Sequence, residues 1–355
     1  MYTIDKPLIE YNQMKIEQLL QLYEFLGFIY PEKRKRLDPV MTLIKENWTK
    51  ALHANYPLFW VGTIVENDKN IVSTATCWQY LNKGMLGQHL ASNHPVGSRL
   101  IFLNILQKVI ENQLINTIDS YQIYYRPQNK YSARMFEPLS SRLGSDLSQI
   151  IFYTYCEVPF IKEFLVEEVE ISEVDEANRQ QFLEFVQMER GEAYIKAQEL
   201  DSADLTLERL NKKFTMHGLQ RKRSLFMACS KKDSKVRGVI ISNQSSLGLN
   251  FSFLENSSEL ILDKSSEKYH LTVARLLLGK ASSLFPQFPL NYLPVLVDPV
   301  HCRLIEKLQG KVIREYNLFI ILRGGYESWY EHADNLTRAI YQRFVGQSYE
   351  RSVTN

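Results

Sequence analysis

The chain is poor in the residues that mark special chemistry. Its four cysteines, Cys77, Cys156, Cys229 and Cys302, stand far apart and form no CxxC or Cys/His ligand spacing, which argues against a zinc site. Cys77, Cys156 and Cys229 lie in apolar or β-like runs, as reduced cysteines do when they serve as small core residues. A cytoplasmic compartment is therefore expected. An excess of one charge is lacking too: 42 basic against 40 acidic residues leave a formal charge of +2. That field is too weak to make nucleic acid or an anionic membrane the default partner. Nowhere do ~18 apolar residues run uninterrupted, so no membrane span is expected. Met1 to Glu10 has neither the basic nor the apolar region of an export signal.

What is present is an ordinary globular composition, 45% hydrophobic and 23% charged over 355 residues, long for one domain and comfortable for two. Lys15 to Phe28 carries its apolar residues at helical spacing, and a second helix is expected from Pro39 to Ala54. Between them Lys33-Arg34-Lys35-Arg36 reads as a solvated charge run. Leu58–Val65 and Ile71–Tyr80 flank the polar turn Glu66-Asn67-Asp68-Lys69-Asn70, an antiparallel hairpin, with Met85–Ser92 as a third strand. Leu100–Ile115 is apolar nearly all round, as a helix packed on a sheet would be. Tyr121–Tyr125 is read as a strand, Asn129–Leu143 as a helix and Gln149–Val158 as a β-branched and aromatic strand.

After Pro159 the same order returns. Glu167–Ser172 is a strand, and Glu176–Met188 and Ser202–His217 are helices, with Ser202 as the candidate N-cap. Leu225–Ser230 and Val236–Ser242 form a hairpin around Lys231–Lys235. Then follow Ser258–Leu262, Leu271–Leu284, Tyr292–Val297, Asp298–Leu308 and a closing strand, Val312–Leu322. Phe226 stands to Phe59 almost as Asp298 stands to Asn129, so a duplicated domain is expected. The boundaries read 1–160 and 161–325, with each unit closed by its own last strand. A helical tail, 326–355, offers Trp329, Tyr330, Leu336, Ile340 and Phe344 for docking.

The turn between Met85–Ser92 and the apolar helix, His94-Pro95-Val96-Gly97-Ser98-Arg99, puts a glycine where a strand runs into a helix. Backbone N–H groups at such a helix start can hold a phosphate. This turn and the element order resemble the GNAT acyltransferases, whose Q/R-x-x-G-x-G/A turn holds the pantetheine and pyrophosphate of acyl-coenzyme A. The likeness covers most of Lys6 to Leu322. It implies an α+β fold of two tandem GNAT-like domains, each a mixed, mostly antiparallel sheet flanked by helices. It also implies acetyl-CoA or a longer acyl-CoA as co-substrate, with Gly97, Ser98, Arg99 and Asn129 on the coenzyme. The second unit's turn, Lys268-Tyr269-His270-Leu271-Thr272-Val273, has no glycine, so no standard coenzyme site is expected there.

The family's helix N-x-x-A-x-x-x-Y-E-K-L-G supplies a tyrosine that protonates the departing thiolate. Here Phe136 and Ile305 stand at that position, and Tyr131 is the substitute, about 140° away round the helix. His89 and His94 in the first unit, with Glu259 or Asp263 in the second, are candidates for taking the amine proton. The leading reading is an N-acyltransferase acting on a small-molecule or protein amine, with the second domain degenerate. The alternative is a catalytically inactive GNAT-like protein that binds another ligand or a protein partner. A nucleic-acid surface made of Lys33–Arg36 and Arg221-Lys222-Arg223 is a third reading, against which the near-neutral charge argues.

Overall fold

A computed structural model describes residues 9–13, 15–54, 58–66, 70–93, 97–111, 117–285 and 289–353. Strand β1 (Ile9–Tyr11) leads into three helices, α1 (Ile16–Phe25), α2 (Pro31–Leu37) and α3 (Met41–Leu52). Strands β2 (Phe59–Glu66), β3 (Asn70–Gln79) and β4 (Gly84–Ser92) follow, then helix α4 (Gly97–Ile110), strand β5 (Ser120–Tyr125), helix α5 (Lys130–Leu143) and strand β6 (Ser148–Pro159). The series then repeats with β7 (Val169–Glu173), α6 (Arg179–Arg190), α7 (Glu192–Ala197), α8 (Glu208–Thr215), β8 (Arg221–Ser230), β9 (Val236–Ser245) and β10 (Ser258–Leu262). It continues through α9 (His270–Ser283), β11 (Tyr292–Val297), α10 (Cys302–Lys307) and β12 (Lys311–Leu322), and ends on α11 (Tyr326–Val353).

Two local expectations change. The charge run at Lys33–Arg36 lies inside α2, opened by Pro31 at its first turn. Only one face of that helix is wet: Arg34 and Lys35 project outward, whereas Lys33 and Leu37, one turn apart, are buried. The helix expected from Ser202 begins at Glu208, and its start is held by the Asp204 carboxylate, which accepts from the backbone N–H groups of Glu208 (2.8 Å) and Arg209 (3.2 Å). Ser202 instead accepts from the Asp204 N–H (3.2 Å) within the preceding turn.

All the strands join one twelve-stranded sheet in the order β1-β2-β3-β4-β5-β12-β6-β11-β10-β9-β8-β7. Neighbours run antiparallel except β4 with β5 and β10 with β11. This order corrects the expectation that each unit closes on its own last strand. β12 pairs with β5 of the first unit, from Asn317 opposite Tyr125 to Leu322 opposite Ser120. β6 pairs with β11 of the second, from Tyr292 opposite Pro159 to Val297 opposite Thr154. The two last strands have changed places, and they also pair with each other over almost their whole length. Both are rich in β-branched and aromatic residues and both meet their neighbours antiparallel, so local sequence does not distinguish the exchanged from the unexchanged closure.

Each half of the sheet is covered on both faces. The first has α1–α3 on one side, around Tyr23, Trp48, Phe59 and Trp78, and α4, α5 and α11 on the other. The tail docks as expected at Trp329, which is fully buried with its ring centroid 5.2–5.6 Å from those of Tyr121, Phe319 and Phe102. Burial of a large side chain contributes roughly 1.5–3 kcal/mol. Tyr330 and Leu336 pack partly buried against the same core. The side chains of Ile340 and Phe344 lie outside the described residues.

A candidate active site where two strands part

β4 and β5 run in parallel only from Gly84 opposite Ser120 to Gly87 opposite Ile123. Just beyond, β4 carries one residue too many for its other neighbour: Gln88 faces Thr76 and Ala91 faces Thr74, so His89 and Leu90 together stand opposite Ala75. Such a bulge bends the strand and re-aims its side chains. His89 accommodates the bend with a φ of 55°, in the left-handed region. The strands therefore part, and the gap opens into a cavity of about 940 Å³.

The cavity reaches from one face of the sheet to the other. On the α4 side it is lined by Ser98, Arg99 and Phe102 from α4 and by Asn129, Tyr131, Ser132 and Phe136 at the start of α5. On the α1–α3 side its walls are Phe28, Tyr30, Lys33 and His89, together with Asn250, Ser252 and Tyr316. Those last three come from the second half of the sequence, so both halves build one cavity. The join is specific: the Gln88 side chain donates to the Leu249 carbonyl (2.6 Å), and the Asn250 side chain donates back to Gln88 (2.6 Å).

The sequence candidates take different places. Gly97 is buried at the start of α4, with Ser98 and Arg99 following it on the cavity wall. Asn129 caps α5, its side-chain oxygen accepting from the backbone N–H groups of Tyr131 (3.1 Å) and Ser132 (3.2 Å). Tyr131 lies on the wall with the Arg99 guanidinium 5.4 Å from its ring centroid. Its hydroxyl is buried without a hydrogen-bond partner, and burial raises its pKa to about 12 against the opposing pull of Arg99. Phe136 is in the core, stacked 4.6 Å from Phe319 of the exchanged strand β12. Ile305 is fully buried in the second unit.

His89 is buried in an aromatic cage, stacked 4.4 Å from Phe251 and 5.6 Å from Trp48, with Tyr23 and Phe28 edge-on. Burial, helped by nearby Lys33, holds its pKa well below the usual imidazole value, so the ring is neutral. Nε2 accepts from the Phe251 backbone N–H at 3.3 Å, which assigns the ring proton to Nδ1. His94 lies outside the described residues. In the second unit neither acidic candidate faces an open cleft. Arg190 bridges Glu259 (2.9 Å) and Asp298 (2.8 Å), and Tyr153 and Tyr194 donate to the same Glu259 carboxylate. Asp263 is paired with Arg237 at 2.9 Å.

One residue that the sequence pattern did not select is prominent. Lys33 is 6% exposed, its ammonium 4.1 Å from the centroid of Phe28. Burial first, then Arg314, Arg126 and Arg36, lower its pKa to about 7. The available signal was the position of Lys33 one helical turn before Leu37, on the face of α2 that turns inward.

The strand order and the parting beside a parallel pair define the class: a tandem GNAT-like fold, with two units joined in one sheet through exchanged last strands. No protein-family model matches the chain, and no curated protein matches it. Among solved structures it is similar to a GCN5-related N-acetyltransferase from Sphaerobacter thermophilus, at 10% identity over 90% of this chain and 96% of that one, with a TM-score of 0.47. It is also similar to a tandem GNAT protein from the clavulanic acid biosynthesis pathway, at 8% identity over 89% and 99%, with a TM-score of 0.44. The fold class stands on the strand order given above. Among the described residues no helix is long and apolar enough to cross a membrane, and no cluster of metal-ligating side chains occurs.

Proposed function

We propose that the chain is an acyl-coenzyme A-dependent N-acyltransferase whose first unit binds the coenzyme, the second unit serving as a structural partner that closes the acceptor end. The observation that carries this reading is the gap between β4 and β5, which opens across the sheet beside the start of α4. An extended thioester arm needs such a passage, with the reacting carbonyl held where an amine can approach from the other face. The residues present fit that arm. Ser98 and Arg99, just after Gly97 at the helix start, offer donors on the cavity wall, and the orphaned Tyr131 hydroxyl stands ready for a polar partner.

The reaction joins the amine nitrogen to the thioester carbonyl carbon and breaks the carbon–sulfur bond. The thiolate that leaves takes a proton from the Tyr131 hydroxyl, which is protonated throughout the neutral range, and the tyrosine recovers one from water. Among the described residues no Asp or Glu lines the cavity. His89 is caged and neutral, so it is assigned to shaping the wall, and the amine proton leaves to water.

The test is direct. Acetyl-coenzyme A should raise the melting temperature, and Gly97→Trp should abolish the rise; no shift with any acyl-coenzyme A removes the reading. A second reading, a binding protein without turnover, is favoured by Phe136, which fills the acid's place with a ring stacked in the core. Coenzyme binding without transfer to any amine selects it.

A further inference from the structure

The acceptor end of the cavity is cationic. Of the described residues that line the cavity, Lys33, Arg99 and Arg126 carry positive charge and none is an aspartate or glutamate. Arg99 belongs to the α4 side. On the α2 side stand Lys33 and Arg126, and Arg126 stacks 5.4 Å from the ring of Tyr30 and donates to its hydroxyl at 3.0 Å. The Arg314 guanidinium lies 5.9 Å from the same ring. Among the described residues neither Lys33, Arg126 nor Arg314 has an acidic partner, whereas nearby Arg36 is neutralised by Glu157. His89 adds a donor: with Nε2 engaged, its Nδ1–H is buried in the same wall and has no partner.

A lysine that is 6% exposed, faces an aromatic ring and has no carboxylate beside it is an expensive arrangement in a free protein, because an ammonium loses its hydration on burial. An incoming anion would relieve that cost and the repulsion among Lys33, Arg126 and Arg314. Phe28, Tyr30 and Tyr316 on the same side suit a flat or apolar body behind the charged head, and Asn250 and Ser252 add polar groups beside them.

We propose that Lys33, with Arg126 and the His89 Nδ1–H, binds an anionic group of the acceptor, so that the acceptor is an amine that also bears a carboxylate or a phosphate. The word acceptor rests on the acyltransferase reading; the anion site does not.

The experiment uses benzoate, phenyl phosphate and benzamide, which share a ring and differ in charge, titrated calorimetrically into the full chain with and without acetyl-coenzyme A. Benzoate or phenyl phosphate should bind at least tenfold tighter than benzamide, unaffected by the coenzyme, and which of the two binds tighter tells carboxylate from phosphate. Lys33→Met should abolish the preference and Arg126→Gln should weaken it. Equal binding of benzamide, no binding of any of the three, or a preference that survives Lys33→Met overturns the inference. Competition with acetyl-coenzyme A also overturns it, by assigning the lysine to the coenzyme. Failure of acetyl-coenzyme A to bind while the anions bind would sink the acyltransferase reading and leave the anion site standing.

Discussion

The molecule contains the same strand pair twice, and the two copies have opposite fates. Between β4 and β5 an extra residue at His89–Leu90 bends one strand away, and the space becomes a cavity. Between β10 and β11 the parallel pair is shorter still, but β10 keeps an unbroken register with β9 from Ser258 to Leu262. There the space beside Glu259 is filled by Arg190, Asp298, Tyr153 and Tyr194. One inserted residue on one strand separates an opening from a closed polar cluster. A duplicated fold therefore does not carry a duplicated site, because the site depends on a local irregularity rather than on topology.

The sharpest way to break this comparison is to empty the closed copy. Arg190→Met should leave the Glu259 and Asp298 carboxylates buried and unpaired, at a cost of about 3–5 kcal/mol by chemical denaturation. A variant as stable as the parent would mean that the cluster is not what holds the second pair together. The open copy should respond in the opposite sense. Lys33 binds its proton more weakly in the folded chain than in the unfolded one, so its own contribution to folding stability should rise with pH between about 7 and 10.5. Lys33→Met should therefore stabilise the free protein by up to about 5 kcal/mol below pH 7, the gain fading as pH approaches 10.5. Buried cysteines and tyrosines such as Cys77, Cys156, Tyr121 and Tyr153, whose pKa values burial raises, pull stability the other way in the alkaline range, so the difference between the Lys33→Met and parent curves, not the parent curve alone, reads Lys33.

Smaller effects test the cavity wall. Tyr131→Phe should lower kcat for acyl transfer by about 10–100-fold with KM little changed, as loss of a proton donor does when water can replace it. An unchanged kcat would assign the protonation to water alone. Smallest of all, Asn129→Ala removes the cap of α5 and should cost about 1 kcal/mol in thermal unfolding. A larger loss of coenzyme affinity than of stability would show that Asn129 also touches the ligand.

Much of the candidate site was legible because its signals are local. Gly97 at the strand–helix turn, Asn129 as a cap and Tyr131 in the first turn of α5 are readable from residue type and position, and Asn129 and Tyr131 line one cavity with Ser98 and Arg99, the residues that follow Gly97. His89 was visible as a titratable residue on a strand, but its cage was not, since Trp48 and Phe251 come from opposite halves of the chain. Lys33 was hidden by its neighbours: four consecutive basic residues average to a wet surface, although a helix turns each one to a different side.

The sequence by itself determined the order of elements, their duplication and the apolar helices that cover the sheet, because periodicity and turn chemistry act over a few residues at a time. Tertiary structure decided which last strand closes which unit, which parallel pair stays open and which lysine is buried. Those outcomes depend on pairing and packing between segments more than a hundred residues apart, such as β5 with β12, where several closures satisfy the same local pattern and only the whole sheet selects one.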